Sequence, residues 1–202
     1  MMNKSDYRRV AELHIQGIPF GFLSSMGVSF LAALYRAVDM HADSVLFVAR
    51  NDSGEVAGFL SGTISVKRFY KYALSRHCMN LALPVLFKLF SIATIKRIFE
   101  TLLYPFKKHE SEASAVSTEE AIDCELLSVA LDASLHGRGI GKKLVADFEL
   151  FLRNKDISGE YKVVTSAEDP KSNGFYKSAG FKLHHEFTHH GKKMNEYHKP
   201  IV

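Results

Sequence analysis

The sequence predicts an α+β fold, and three observations carry that prediction. Apolar residues recur at three- and four-residue spacing in stretches near residues 6–16, 29–38 and 139–154, the period of an amphipathic helix. Short β-prone runs bounded by turn residues lie at 45–66, 121–131, 161–166 and 181–198. Hydrophobic residues make up 47% of the chain and charged residues 24%, a mix that supports a packed core and argues against disorder. A length of 202 residues suits one domain, 1–202, carrying an insertion.

The elements follow in order. Tyr7 to Gln16 is expected to be the first helix, capped by Ser5 or Asp6, with Val10, Ala11, Leu13 and His14 on its inner face. A joint with Gly17, Pro19 and Gly21 precedes a second helix from about Ser29 to Val38. The apolar run Val45–Ala49, the turn residues Asn51-Asp52-Ser53-Gly54 and the run Val56–Val66 make a hairpin. Residues 67–108 are helical in pattern through Leu81, Val85, Leu89 and Ile92, and 109–120 have the small, polar composition of a linker. Ala121 to Leu131 returns to strand, and Gly139 to Asn154 is a strong helix with Ile140, Leu144, Phe148 and Phe151 or Leu152 as its buried stripe. A strand at 161–166, a short helix at 170–178 and a hairpin over 181–198, turning near Gly191, complete the chain. No internal repeat is present.

Charge is unevenly distributed. Residues 67–108 hold nine Lys and Arg against one acid, Glu100, whereas the whole chain has a formal net charge of +4. Such a segment fits an anionic partner: a phosphorylated acceptor, a peripheral membrane contact or, least of all without a nucleic-acid-binding motif, nucleic acid. It equally fits a solvated basic face, a cover for an acceptor cleft or a homodimer contact. In the apolar middle of the chain the longest stretch free of Lys, Arg, Asp and Glu, His77–Phe87, falls short of the ~20 residues a bilayer span needs. Arg8, Arg9 and Glu12 interrupt any early signal-peptide run, and two cysteines make no disulfide framework, so a reducing, cytoplasmic setting is expected.

The chemistry concentrates between Leu126 and Leu144, where an apolar strand runs into His136-Gly137-Arg138-Gly139-Ile140-Gly141 and then an amphipathic helix. Glycines let the backbone approach a phosphate, and the free N–H groups of a helix start point at it with the helix dipole behind them. A Walker A loop would need Gly where His136 stands and Ser or Thr where Lys143 stands. The dinucleotide fingerprint would need a glycine in place of Leu144.

His136-Gly137-Arg138-Gly139-Ile140-Gly141 resembles the Arg/Gln-x-x-Gly-x-Gly/Ala pyrophosphate loop of the GNAT superfamily, the acyl-CoA-dependent N-acetyltransferases. Ser172-Asn173-Gly174-Phe175-Tyr176-Lys177-Ser178-Ala179-Gly180-Phe181 is similar to that family's Asn…Phe-Tyr-x-x-x-Gly-Phe block, in the right order and at the usual distance. The clear match covers residues 121–198. His136 departs from Arg or Gln, the family's first strand is short or missing, and the 67–108 segment stands where the family runs straight between two strands.

The resemblance implies a mixed, mostly antiparallel central sheet flanked by helices, acetyl-CoA as acyl-donor cosubstrate, no metal, and a primary amine on a small-molecule or sugar-type acceptor attacking directly in a ternary complex. By position it assigns Val129, Ala130 and Leu131 to the pantetheine arm. His136, Gly137, Arg138, Gly139, Ile140, Gly141 and Lys142 fall to the pyrophosphate, and Asn173 to the cofactor's other side. Tyr176 stands where many members keep a hydroxyl near the sulfur, which makes it the expected general acid. Glu125, six residues before Leu131, stands where one branch has its catalytic glutamate and is the expected base, with Asp123 in reserve. The rival reading is a non-catalytic CoA-binding module held to an anionic partner or membrane surface by the basic segment. His184 with His190, and His185 with His189, would alternate to opposite strand faces, each pair too spread for a metal site.

Overall fold

The computed structural model describes residues 2–19, 21–76, 122–189 and 191–202. Most of the basic segment, the 109–120 linker and the expected strand start at Ala121 lie outside those residues. Three helices open the chain: α1 (Lys4–Gly17), the short α2 (Phe22–Ser25) within the Gly/Pro joint, and α3 (Val28–Met40). The cap of α1 is Asn3, two or three residues earlier than expected. Its side chain accepts from the Asp6 N–H at 3.0 Å while Asp6 Oδ2 accepts from the Asn3 N–H at 3.1 Å, a reciprocal capping box.

Six strands form one sheet: β1 (Ser44–Arg50), β2 (Val56–Thr63), β3 (Glu125–Leu131), β4 (Glu160–Ser166), β5 (Lys182–His189) and β6 (Lys192–Pro200). Their order is β1-β2-β3-β4-β6-β5. Every neighbouring pair is antiparallel except β3 and β4, which are parallel. The fold class expected from the sequence is therefore the one observed. α4 (Val66–Arg76) follows β2, α5 (Ile140–Asn154) follows β3, and α6 (Pro170–Ser178) follows β4. α4 takes the start of the basic segment: it seals Phe69 and Ala73 against the core while Arg68 pairs with Asp43 at 3.1 Å. Among the described residues no helix is long and apolar enough to cross a membrane.

Helices cover both faces of the sheet, so there are two cores. On one face α1, α3 and α4 bury Val10, Leu13, Leu31, Val38 and Phe69 with Phe59 of β2. On the other, α5 and α6 bury Leu144, Phe148, Leu152 and Tyr176 with Leu126, Tyr161, Val163 and Tyr197. A bulge in β3 serves both. Ser61 faces Ser128 and Gly62 faces Leu126, so Leu127 has no partner in register. The extra residue turns Leu126 toward α5 while Ala130 packs on the α1 side.

His14 is buried at 2% exposure between the helices and β2, its Nδ1 2.5 Å from the Tyr35 hydroxyl. Burial pushes its imidazole down to about 4, so it is neutral at physiological pH. A histidine depressed in the folded state stabilises the fold above its unfolded value of 6.5, and that stability is lost as pH falls towards 4. The loss over this window is roughly 3 kcal/mol. Urea unfolding at pH 7, 5.5 and 4 should show this slope in the wild type and a flatter one in His14→Phe; parallel slopes would refute it.

Candidate active site

The site is built around the one parallel pair. β3 and β4 share a single registered position, Glu125 opposite Lys162, with Lys162 N–H donating to the Cys124 carbonyl at 3.0 Å. Beyond it the ladder is open. The edge of β3 that carries Val129, Ala130 and Leu131 keeps its pairing to β2 but has no registered partner in β4. Unpaired strand edges present N–H and C=O groups to whatever lies beside them.

At the end of β3 Asp132 accepts from the Ser134 N–H at 3.0 Å, and a short 3₁₀ turn, Ala133–Leu135, leads into the glycine loop. Gly137 and Gly139 have φ of 74° and 75°, a region open to glycine at little cost, and a Cβ at either would meet nothing within 4 Å. Gly139 caps α5 without any side-chain hydrogen bond. Among the described residues none of the main-chain N–H groups from Gly137 to Lys142 has a hydrogen-bond partner; the first to find one is Lys143, which donates to the Gly139 carbonyl at 3.0 Å. An uncapped start of a 15-residue helix with open space before it is a cradle for an anion. Gly141 serves a different purpose, because its Cβ would lie 2.9 Å from Phe175 Cε2 and the glycine lets α5 close on α6.

The side chains around the cradle divide. Arg138 and Lys142 are exposed beside it, whereas Lys143 is paired with Asp147 one turn on at 3.0 Å. His136 folds back, Nε2 3.1 Å from the Leu131 carbonyl. Ile140 packs at the margin of the second core. The amide of Asn173 is fully engaged inside the protein. Its Nδ2 donates to the Ser166 and Asp169 carbonyls at 2.8 and 2.6 Å, and its Oδ1 accepts from Asn195 Nδ2 at 2.8 Å and the Tyr197 hydroxyl at 2.9 Å. With both donors and both lone pairs used, its side chain clamps α6 to β4 and β6.

Tyr176, on α6, is 6% exposed and stands edge-on to Phe181 with centroids 5.5 Å apart. Burial first, then the charges of Asp169 and Glu125, push its phenol well above the usual range, so it stays protonated. Glu125 lies on the opposite side of the strand from Leu126. Burial pushes its carboxyl up to about 7, against the pull of Lys162 and with help from Glu196 and Asp123. Asp123, the reserve base, is occupied in holding α4: it accepts from the Ser65 hydroxyl and from the Lys67 N–H at 3.3 Å. Burial likewise lifts the free thiol of Cys124 to about 12, which leaves it no thiolate character at neutral pH.

The histidine alternation expected along β5 is corrected by a second bulge. Leu183 faces Tyr197 and His185 faces Glu196, so His184 is the extra residue. It stacks on His198 at 4.0 Å and lies 5.2 Å from His185, which puts His184 and His185 on one side of the sheet. Among the described residues no group of three His, Cys, Asp or Glu is placed to hold a metal ion. The sequence reading also missed the charged set Lys162, Glu196 and His198 beside Glu125. The signal available was a lysine inside the otherwise apolar run Tyr161–Val164 and polar residues on either side of Tyr197.

An open parallel ladder thus leads into an uncapped, glycine-led helix. Residues 103–181 match the model of the acetyltransferase (GNAT) family, and over that span the chain is similar to the family. No curated protein matches the sequence. Among solved structures, an acetyltransferase is 18% identical at a TM-score of 0.56, covering 99% of this chain and 97% of its own. A GNAT superfamily phosphinothricin acetyltransferase from Sinorhizobium meliloti, in complex with AcCoA, is 14% identical at a TM-score of 0.57, covering 98% of this chain and 85% of its own. An aminoglycoside 6'-N-acetyltransferase complexed with coenzyme A is 12% identical at a TM-score of 0.56, covering 97% and 91%. At these identities the likeness is one of fold.

Asn173→Ala should lower the unfolding free energy by roughly 2–4 kcal/mol, because Asn195 and Tyr197 lose their buried acceptor. Chemical denaturation checks this, and a change below the error of the midpoint would contradict the clamp.

Proposed function

We propose that the protein transfers the acetyl group of acetyl-CoA to a primary amine on a small-molecule or sugar-type acceptor, by direct attack in a ternary complex. The observation that carries this reading is the ladder of β3 and β4, which ends at Glu125 and Lys162 and leads to the uncapped start of α5. The N–H groups from Gly137 to Lys142 would hold the pyrophosphate, with Arg138 and Lys142 adding charge, and His136 closing the strand end. The open edge at Val129, Ala130 and Leu131 would receive the amide groups of the pantetheine arm. Acetyl-CoA supplies the activated thioester. Asn173 would act through the loop and strands it clamps.

A free alkylamine is mostly protonated at neutral pH and must lose that proton to attack. Glu125, with its carboxyl near 7, holds a proton loosely enough to accept one and release it again. Tyr176, kept protonated by burial, would hand its proton to the departing thiolate. The cytoplasm and a single domain spanning the whole chain complete the reading.

A panel of amino sugars, nucleotide-linked amino sugars, peptide N-termini and polyamines, read by release of free thiol, tests the proposal. Thermal stabilisation by acetyl-CoA without turnover on any of them would favour the binding-module reading. Acetyl-CoA at a hundredfold its Kd should stabilise the fold by about 2.7 kcal/mol, and Gly139→Asp should abolish that shift while the protein stays folded. An unchanged shift in the folded variant would reject the cradle. Glu125→Gln and Tyr176→Phe should each slow turnover ~10²–10⁴-fold with little change in acetyl-CoA affinity. Because only the deprotonated carboxylate accepts a proton, wild-type kcat/KM should rise with pH through about 7. Glu125→Gln should lose that limb and recover part of its rate at high pH; a limb retained in Glu125→Gln would exclude Glu125 as its origin.

A further inference from the structure

The sheet face away from α5 and α6 carries a charged set that the functional reading does not use. Tyr161, Val163 and Tyr197 are in the core beneath α5 and α6, so strand alternation sends Lys162, Glu196 and His198 to the opposite face. Glu125 points to that face as well, since Leu126 beside it belongs to the same core. The registers align Glu125, Lys162 and His198 in one row across β3, β4 and β6.

Lys162 is thus the registered neighbour of Glu125, yet its ion pair is made elsewhere. Its Nζ lies 3.2 Å from Glu196 Oε2, with the two side chains 14% and 8% exposed. Among the described residues Glu125 has no ion pair. Glu196 is braced from its other side: His198 Nε2 is 2.8 Å from Oε1, and His185 Nδ1 is 3.9 Å from it. A carboxylate can only accept, so Nε2 of His198 carries the proton it donates. Nδ1 of His198 faces Glu160 at 3.4 Å, and His184 stacks on the ring.

We propose that Glu196, braced by His198, is a positioning residue that takes the Lys162 ion pair and leaves the Glu125 carboxylate without an ion pair of its own, free to take a proton. The competition is decided by backbone geometry. Lys162 and Glu196 sit on strands paired along their whole length, Glu160–Ser166 against Met194–Pro200, whereas the β3–β4 ladder ends at Glu125. An opposite charge within ~4–6 Å would hold a carboxylate ~1–3 pH units lower and make it a poor base near neutrality. Among the described residues the charged and titratable groups around Glu125 are Lys162 from β4, Glu196 from β6, Tyr176 from α6, and Asp123 and Cys124 just before its own strand. Asp123 is held by Ser65 and Lys67, which leaves Lys162 the only cation in this set.

This inference rests on Glu125 being the base, but the arrangement can be tested without turnover. In full-length protein labelled with ¹³C at the glutamate carboxyls, with the Glu125 resonance assigned by its loss in Glu125→Gln, an NMR titration reads its midpoint directly. Glu196→Gln removes a negative neighbour and releases Lys162, so the Glu125 midpoint should fall by roughly one to two units. Lys162→Met should raise it. Movement of both variants in the same direction, or no fall in Glu196→Gln, would overturn the proposal. His198→Gln weakens the brace and should give a smaller fall, which keeps the test decisive if Glu196→Gln fails to fold. If the midpoints move as expected while Glu125→Gln turns over at the wild-type rate, the base assignment fails and the positioning arrangement stands. Opposite results in the two experiments would spare the base assignment alone.

Discussion

Everything at the site depends on one interrupted ladder. A sheet gains by pairing its main-chain groups, and buried N–H and C=O groups without partners are costly. β3 nevertheless pairs with β4 at Glu125 alone, while β4 pairs with β6 along its length and β3 with β2 through a bulge. The opening is tolerated because both strands are secured from their outer sides. Packing of Leu126, Tyr161, Val163 and Tyr197 beneath α5 and α6 binds the two halves together on one face.

The same interruption sets the electrostatics. Lys162 stands beside Glu125 in the register but belongs, through β4 and β6, to the half of the sheet that holds Glu196 and His198. One carboxylate of the pair around Lys162 is therefore held below the ordinary range: burial pushes Glu196 up, but His198 and Lys162 more than offset it. The other is lifted to about 7 by burial. Two glutamates within one charged cluster are thus separated in character, Glu125 by burial and Glu196 by the hydrogen bonds of His198 and Lys162.

Helix α5 completes the arrangement from the other end. Its start is uncapped because Gly139 supplies the left-handed turn and no side chain, and its body is anchored by Leu144, Phe148 and Leu152. The glycines of the loop have separate duties. Gly137 and Gly139 leave space before the helix, and Gly141 lets Phe175 approach. Asn173 then ties α6 to β4 and β6, so the two motif segments are joined through packing and through one buried amide.

Much of this was legible in the sequence because it is local. The inner face of α1, the hairpin of β1 and β2, the stripe of α5 and the bounds of α6 follow from periodicity, turn residues and caps within a few residues of one another. So did the glycine loop, since the conformations it needs are properties of Gly137 and Gly139 themselves. The sequence alone therefore determined the fold class and the glycine loop that opens α5. Only the tertiary structure decided the bulges at Leu127 and His184, because a register depends on the partner strand. It also turned Asp123 and Asn173 to holding α4 and α6, and gave Lys162 to Glu196. Those outcomes are choices among competing partners far apart in the chain, and no local pattern contains the competition.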